Sequence, residues 1–295
     1  MKLGLGTAQF GMDYGVSNKQ GQTPPHEVEN ILALADEAGI DVLDTAAGYG
    51  NSESVLGKAL PANHHFRIVT KSPVFKSDKI NASHADTLIS VFNRSLENLR
   101  QDSLYALLIH DADDLLAPGG ELLIEAMRKL AASGRVKRIG VSVYTANQVE
   151  RLLGLFTPDV VQIPINPFDQ RLIVSGHLEK LKNLGVEIHA RSIFLQGLLL
   201  LEPRSLPSYF EPIKEHFKQY LRFIHMNGLT KLQAAMLFVT QIQQLDKILL
   251  GVCSTGQLVE ILNVFKSLPE QMIDMSDLAI SDERYVNPAK WQIAD

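Results

Sequence analysis

Short runs of apolar residues alternate with longer segments whose apolar residues recur every three to four positions. The short runs are nearly continuous, which is typical of parallel strands buried on both faces. Eight runs predict strands at Lys2–Gly6, Ile40–Asp44, Phe66–Lys71, Tyr105–His110, Val136–Ser142, Val160–Ile165, Val186–Ser192 and Lys247–Val252.

The longer segments predict helices between these strands. In the first, Val28, Ile31, Leu32 and Ala35 lie on one apolar stripe, and Gly39 follows where a C-terminal cap is expected. The predicted helices are Glu27–Ala38, Ser83–Leu99, Glu121–Ala132, Ala146–Leu153, Leu178–Leu184 and Leu229–Ile242.

The regular alternation predicts one α/β domain over residues 1–295. Eight strand–helix units in 295 residues average about 37 residues each, which suits a (β/α)8 TIM barrel of parallel strands with outer helices. The proline-rich stretch Glu202–Pro212 is predicted to form a loop over the barrel mouth. The less regular tail Leu268–Asp295 is predicted to be a C-terminal extension, packed outside the barrel or over its mouth.

Composition excludes several classes of protein. The net charge of −5 gives no basic surface for nucleic acid. No stretch of about 18 uninterrupted apolar residues predicts a membrane span. The single cysteine, Cys253, cannot form an internal disulfide, which favours a reducing compartment and hence the cytoplasm. Histidines and cysteines lack the spacing of a metal site, so no metal is expected. Composition leaves the oligomeric state open.

Polar side chains end three successive predicted strands. Asp44 ends the second strand, with Tyr49 in the turn after it, Lys71 ends the third and His110 the fourth. Each alone has an ordinary explanation, such as a helix cap or a solvated strand end. Together they are predicted to meet, because the carboxyl ends of barrel strands share one face.

These four residues suit the delivery of a proton. A phenol with a pKa of about 10 is a weak acid at neutral pH, and a buried ammonium nearby lowers that pKa. Lys71 can supply the ammonium, and Asp44 can keep it protonated and fixed in place. His110 can hydrogen-bond the reacting oxygen. The set can protonate a carbonyl oxygen while hydride arrives at its carbon.

The same residues belong to a longer series of matches with one family. The chain resembles the aldo-keto reductases over nearly its whole length. The resemblance implies a (β/α)8 barrel and NAD(P)H-dependent carbonyl reduction, with Tyr49 as the general acid and Asp44, Lys71 and His110 completing the tetrad. The matching residues are Gly4-Leu5-Gly6-Thr7, Asp44-Thr45-Ala46, Tyr49, Gly57-Lys58-Ala59-Leu60, Thr70-Lys71, His110, Lys137-Arg138-Ile139-Gly140-Val141-Ser142, Gln162, Asn166, Gly251, Gln257-Leu258 and Glu260.

The resemblance also implies a dinucleotide site, with NADP favoured over NAD. The residues that it implies for cofactor binding are Gly6, Thr7, Asp44, Ser142, Gln162, Arg191, Ser192, Phe194, Gln196, Gly197, Gly251, Ser254, Gln257 and Glu260.

Four positions depart from the family pattern. Val143 replaces an Asn that holds the nicotinamide amide, and Ile261 replaces an Asn near adenine. Gln257 stands where an Arg often lies, which leaves no basic residue between Leu250 and Asn263. Arg191 stands where a Tyr stacks on the nicotinamide. It can stack on that ring, bind an anionic substrate or pair with a nearby carboxylate.

Three functions are compatible with this sequence. The first is an NAD(P)-dependent oxidoreductase that acts on a small aldehyde, ketone or sugar carbonyl. The second is a regulatory or binding protein on the same fold that senses a dinucleotide with little turnover; the four departures favour it and the intact tetrad opposes it. The third is a barrel isomerase that uses Lys71 and His110 as acid and base, which leaves Tyr49 and Asp44 unexplained.

Overall fold

Eight parallel strands form a closed barrel in the structure, a computed structural model that describes residues 2–292. The TIM-barrel prediction is confirmed, and each strand begins and ends within two residues of its predicted bounds. Met1 and residues 293–295 of the predicted 1–295 domain lie outside the described residues. The strands are Leu3–Gly6 (β1), Val42–Asp44 (β2), Arg67–Lys71 (β3), Leu104–Ile109 (β4), Val136–Ser142 (β5), Val160–Pro164 (β6), Glu187–Arg191 (β7) and Lys247–Gly251 (β8).

Helices surround the barrel, and all six predicted ones are present. Among the longer helices, the sequence pattern missed those at Ser52–Ala59, Lys214–Met226 and Thr255–Lys266. The α-helices are Ala8–Gly11 (α1), Pro25–Glu37 (α2), Ser52–Ala59 (α3), Ala82–Leu99 (α4), Ala112–Leu116 (α5), Glu121–Ala132 (α6), Ala146–Leu153 (α7), Arg171–Val174 (α8), His177–Asn183 (α9), Lys214–Met226 (α10), Lys231–Thr240 (α11), Thr255–Lys266 (α12) and Glu283–Val286 (α13). Within residues 2–292, no helix has the length and apolar character needed to cross a bilayer.

The first and last strands close the barrel. β8 pairs with β1 in parallel, with Leu3 opposite Ile248 and Gly6 opposite Gly251. Every other strand pairs with its neighbours in chain order, also in parallel. All eight carboxyl ends therefore lie at the same rim.

A small apolar cluster fills the barrel interior and determines which side chains point inward at that rim. It includes Val42, Val69, Leu108, Val160 and Leu249, all on strands. Side chains alternate between the two faces of a strand with a period of two. The residues two positions further along each strand therefore also face the interior, at its carboxyl end; they are Asp44, Lys71, His110, Gln162 and Gly251.

The segment Glu202–Pro212 does not form the predicted loop over the mouth. It contains two short 3₁₀ turns and packs against the tail instead: the Phe210 ring lies 4.9 Å from the Trp291 ring, and the Tyr209 hydroxyl donates to the Arg284 carbonyl at 2.9 Å. These contacts bury the Phe210 side chain, which an exposed position over the mouth would not allow. The tail also reaches the loop after β6, where the Ile280 amide donates to the Phe168 carbonyl at 2.8 Å.

Candidate active site

A cavity of about 830 Å³ opens at the carboxyl rim of the barrel. All four predicted catalytic residues line it, as do all the predicted cofactor-binding residues except Ser254. Ser254 is the N-cap of α12, and its hydroxyl accepts from the Gln257 amide at 3.2 Å. The structure thus gathers residues from across the sequence around one space.

A buried ion pair lies at the floor of this cavity. The Lys71 ammonium donates to both Asp44 carboxylate oxygens at 2.8 and 2.7 Å, and to the Thr45 carbonyl at 2.9 Å. The Gln162 amide donates to Asp44 Oδ1 at 2.6 Å. Burial lowers the pKa of Lys71, and the Asp44 carboxylate opposes that shift. The pair is therefore fixed by several hydrogen bonds that buried charges require.

Tyr49 lies above the ion pair in the turn between β2 and α3. The centre of its ring is 5.0 Å from the Lys71 ammonium. Burial raises the pKa of the Tyr49 phenol well above its usual value, Asp44 raises it further, and Arg191 lowers it in part. The expected lowering of this pKa is not found, because burial of the phenol, followed by the Asp44 charge, raises it. Arg191 is the cation that favours the phenolate.

His110 completes the group beside the phenol. The His110 and Tyr49 rings meet edge to face, with centroids 5.7 Å apart. Burial lowers the pKa of His110 to about 3, and the charges of Lys71 and Arg191 add to that shift. The imidazole is therefore neutral near neutral pH, with one nitrogen that donates and one that accepts. Its buried Nδ1 has no hydrogen-bond partner within residues 2–292.

The cavity also offers polar groups that fit a nicotinamide amide. Gln162 must turn its amide nitrogen towards Asp44, since a carboxylate only accepts. Its buried Oε1 is left without a partner in the described part of the chain. Ser142 lies opposite Gln162 in the strand register and lines the same cavity. An unpartnered buried acceptor is costly, so this amide oxygen fits a ligand that brings N–H groups.

The loop after α1 meets the loop after β7 across the cavity. We call residues 13–20, in the loop after α1, the strap. The Val16 backbone N–H donates to the Gln196 backbone carbonyl at 3.0 Å, and the Gln196 side-chain amide donates to the Tyr14 hydroxyl at 3.3 Å. Gly197 has φ +88°, and a Cβ there would lie 1.8 Å from the Ser17 hydroxyl oxygen. Only glycine suits both that conformation and that contact. The strap therefore rests directly on the loop that follows β7.

Arg191 enters the cavity from the end of β7. Its guanidinium carbon lies 4.2 Å from the centre of the Tyr144 ring. Its hydrogen bonds are long, at 3.4 Å to both the Ser192 hydroxyl and the Val143 carbonyl. No carboxylate in residues 2–292 lies within 4.0 Å of it, which excludes the predicted possibility of a structural ion pair there.

Several cavity residues escaped sequence analysis. Tyr14, Gln9 and Lys231 lie on loops or helix starts with no regular pattern. Tyr144 could have been found, since it lies two residues beyond Ser142 at the end of a predicted strand. Within residues 2–292, no group of three or more His, Cys, Asp or Glu side chains is arranged to hold a metal ion.

Comparison with known proteins identifies the family. The model of the aldo/keto reductase family matches residues 2–280. This chain belongs to the aldo/keto reductase family. The tetrad Asp44, Tyr49, Lys71 and His110, assigned by resemblance, thus sits in an aldo/keto reductase barrel.

Individual relatives are more distant. An aldo-keto reductase of Mycobacterium sp. (strain JLS) is 32% identical over 190 residues, 62% of this chain and 64% of its own. The oxidoreductase YdhF of Escherichia coli K12 is 30% identical over 193 residues, 61% and 62% of the two chains. The match therefore spans less than two thirds of either relative. The structure of the aldo-keto reductase AKR11C1 of Bacillus halodurans superposes with a TM-score of 0.74 at 19% identity, covering 95% of this chain and 93% of the other, and shares its fold.

Proposed function

We propose that this aldo/keto reductase family member is an NAD(P)H-dependent oxidoreductase that reduces an aldehyde, ketone or sugar carbonyl to the alcohol. The observation that carries the proposal is the arrangement in one cavity of a phenol, a neutral imidazole and a buried Lys71–Asp44 ion pair. A binding protein needs no such proton donor. The single cysteine, Cys253, favours a reducing compartment, and we propose the cytoplasm.

Bound NAD(P)H would supply hydride to the carbonyl carbon. Gln162 and Ser142 would hold the amide at the nicotinamide end, through the unpartnered Gln162 Oε1. The strap, the loop after β7 and the start of α12 would hold the rest of the dinucleotide. Their contribution would be to bind and orient the dinucleotide and to exclude water.

Within this scheme, the chain supplies the proton. Tyr49 donates its hydroxyl proton to the carbonyl oxygen as that oxygen gains charge. His110 is neutral and can donate a hydrogen bond to the same oxygen, which orients the carbonyl. Lys71 is held by Asp44 beneath the phenol, and Arg191 lowers the cost of the phenolate that remains.

For the cofactor we propose NADP ahead of NAD. No basic residue lies between Leu250 and Asn263, but Lys19 and Lys231 line the cavity from other elements. Lys231 is paired with Glu202, with an N–O distance of 2.6 Å. A cation that must leave such a partner binds a 2′-phosphate less strongly than a free one, so we expect a modest preference for NADPH.

Tyr49→Phe tests the proposed reaction. The variant keeps the ring but lacks the proton, so reduction should fall by about 100- to 10,000-fold while cofactor dissociation constants stay nearly unchanged. Turnover of a carbonyl panel with NADH and NADPH, together with fluorescence titration of both cofactors, measures this.

Three results would each contradict part of the proposal. A Tyr49→Phe variant that keeps more than about a tenth of wild-type turnover removes Tyr49 as the acid. A wild-type protein that binds dinucleotide but reduces no member of the panel supports the sensor function instead. A preference for NADPH of about a thousandfold, which is about 4 kcal/mol, would show that the phosphate contacts are stronger than we propose.

A further inference from the structure

Arg191 is a cation inside the cavity, and no carboxylate within residues 2–292 pairs with it. It contacts the Tyr144 ring and makes two hydrogen bonds of 3.4 Å, beyond the usual 2.7–3.2 Å range for N–H···O bonds. A guanidinium carries five N–H donors. Much of its donor capacity is therefore unused, although the side chain is only partly exposed and lines the cavity.

The charges around the cavity do not neutralise Arg191. Six charged side chains of the described residues line the cavity. Two are anionic, Asp44 and Glu260, and four are cationic: Lys19, Lys71, Arg191 and Lys231. Asp44 is paired with Lys71, and Lys231 is paired with Glu202, which does not line the cavity. Glu260 lies on α12, not within 4.0 Å of the guanidinium. The part of the cavity beside Tyr49 therefore carries an excess of positive charge.

The orientation of the guanidinium is also fixed. Tyr144 covers one face of it, and the Val143 carbonyl and the Ser192 hydroxyl each lie 3.4 Å from one of its two terminal nitrogens. A planar fork held in this way matches a carboxylate or a phosphate, since both accept two parallel hydrogen bonds. A nicotinamide ring, by contrast, becomes cationic on oxidation and is disfavoured beside a second cation.

Resting on the proposed function, we infer that Arg191 binds an anionic group, a carboxylate or a phosphate, on the carbonyl substrate. The substrate class is then an oxo acid or a phosphorylated aldehyde or ketone. The anion would complete the hydrogen bonds of Arg191 and orient the carbonyl towards Tyr49. Neutral carbonyl compounds would lack this contact and be reduced more slowly.

Matched pairs of substrates test the inference. Butanal is compared with succinic semialdehyde, and glyceraldehyde with glyceraldehyde 3-phosphate, so that the two pairs separate carboxylate from phosphate recognition. In the wild type, kcat/KM should be about 10- to 100-fold higher for at least one anionic member. Arg191→Gln should slow reduction of every substrate, because the charge that favours the Tyr49 phenolate is lost, but kcat/KM should fall about 10- to 100-fold further for the anionic member of a pair than for its neutral partner. Arg191→Lys should restore part of the anionic advantage.

A control and a second readout make the outcomes distinct. Arg222→Gln removes a positive charge from the surface of α10, where Arg222 is paired with Glu215, and should preserve the advantage. Calorimetric titration with succinate and inorganic phosphate should show at least one anion binding about tenfold more weakly to Arg191→Gln than to wild type.

Several results would overturn the inference. These are equal kcat/KM within both pairs, an equal loss for neutral and anionic members in Arg191→Gln, unchanged anion affinity in that variant, or a loss of cofactor affinity there that accounts for the whole effect. If wild type reduces no carbonyl compound, the proposed function fails, and the anion titrations alone decide the role of Arg191.

Discussion

Lys71 and Asp44 are buried charges that depend on each other. Removing one leaves the other uncompensated in the interior, at a cost of about 3–5 kcal/mol, whereas removing both can be nearly neutral. Stability and chemistry can therefore be separated at this pair by the choice of variants.

Lys71→Met should lower the free energy of unfolding by about 3–5 kcal/mol and abolish turnover. Asp44→Asn combined with Lys71→Met should regain most of that stability and remain inactive. Urea unfolding and carbonyl reduction measure the two effects. A double variant that recovers turnover along with stability would show that the pair serves the fold only.

At the scale of single residues, the side chains at strand ends were the part of the site that the sequence predicts. Asp44, Lys71, His110 and Gln162 follow apolar strands whose side chains alternate, so their inward position follows from the sequence pattern. Tyr14 and Lys231 were not predictable, because loops and helix starts carry no period. The direction of the Tyr49 pKa shift was also missed, since it depends first on how deeply the phenol is buried, which the sequence pattern does not show.

The strap and the loop after β7 form one unit at the scale of elements. Ser192, Leu195 and Gln196 all have positive φ, at 57°, 49° and 54°. Left-handed backbone at non-glycine residues costs free energy, so the surrounding contacts must hold it. The sequence showed that this loop departs from the family pattern, but not that another loop lies on it, because that contact joins residues about 180 positions apart.

Gly197→Ala should separate the two loops. A Cβ there would lie 1.8 Å from the Ser17 hydroxyl oxygen, so the strap should shift and the dinucleotide should dissociate about fivefold or more faster, in the range of about 1 kcal/mol. Stopped-flow release of NADPH, with urea unfolding alongside, measures this.

Gly134→Ala is the matched control. Gly134 also has positive φ, at 75°, but a Cβ there would have no neighbouring atom within 4 Å, and the residue does not line the cavity. It should lose stability of about 1–2 kcal/mol from backbone strain and keep wild-type release rates. Equal release rates in the two variants would mean that the strap does not retain the dinucleotide.

At the scale of the whole molecule, a polar network lies at the end of the barrel opposite the cavity. Glu187 accepts from the Tyr105 hydroxyl at 2.5 Å and contacts His189 at 2.8 Å and Arg138 at 3.5 Å. Burial raises the pKa of Glu187, but the hydrogen bonds from His189 and Tyr105 outweigh it and hold that pKa at about 2. The sequence placed these residues on strands, with no sign that they meet.

This network predicts how stability depends on pH. The folded pKa of Glu187 is below its unfolded value of 4.5, so its contribution is present above about pH 5 and is lost as the pH falls towards 2. At neutral pH the contribution is at most about 3 kcal/mol. Urea unfolding of wild type and Glu187→Gln should differ most at neutral pH, and the difference should shrink below about pH 4.5 and vanish as the pH falls to about 2.

Glu125→Gln, at an exposed position on α6, is the control and should follow wild type at every pH. A difference between wild type and Glu187→Gln that stays constant from neutral to acid pH would contradict the role given to the Glu187 carboxylate.

The pairing of β1 with β8 has a consequence for synthesis on the ribosome. β1 precedes β8 by about 240 residues along the chain, so one of its edges meets its partner only when Lys247–Gly251 has followed. At about 5–20 residues per second, the unpaired edge of β1 stays exposed for about ten seconds or more. Until then the nascent chain is an open sheet with two free edges, and such edges invite association between chains. We therefore expect chaperones to be needed mainly during translation, before the last strand is released.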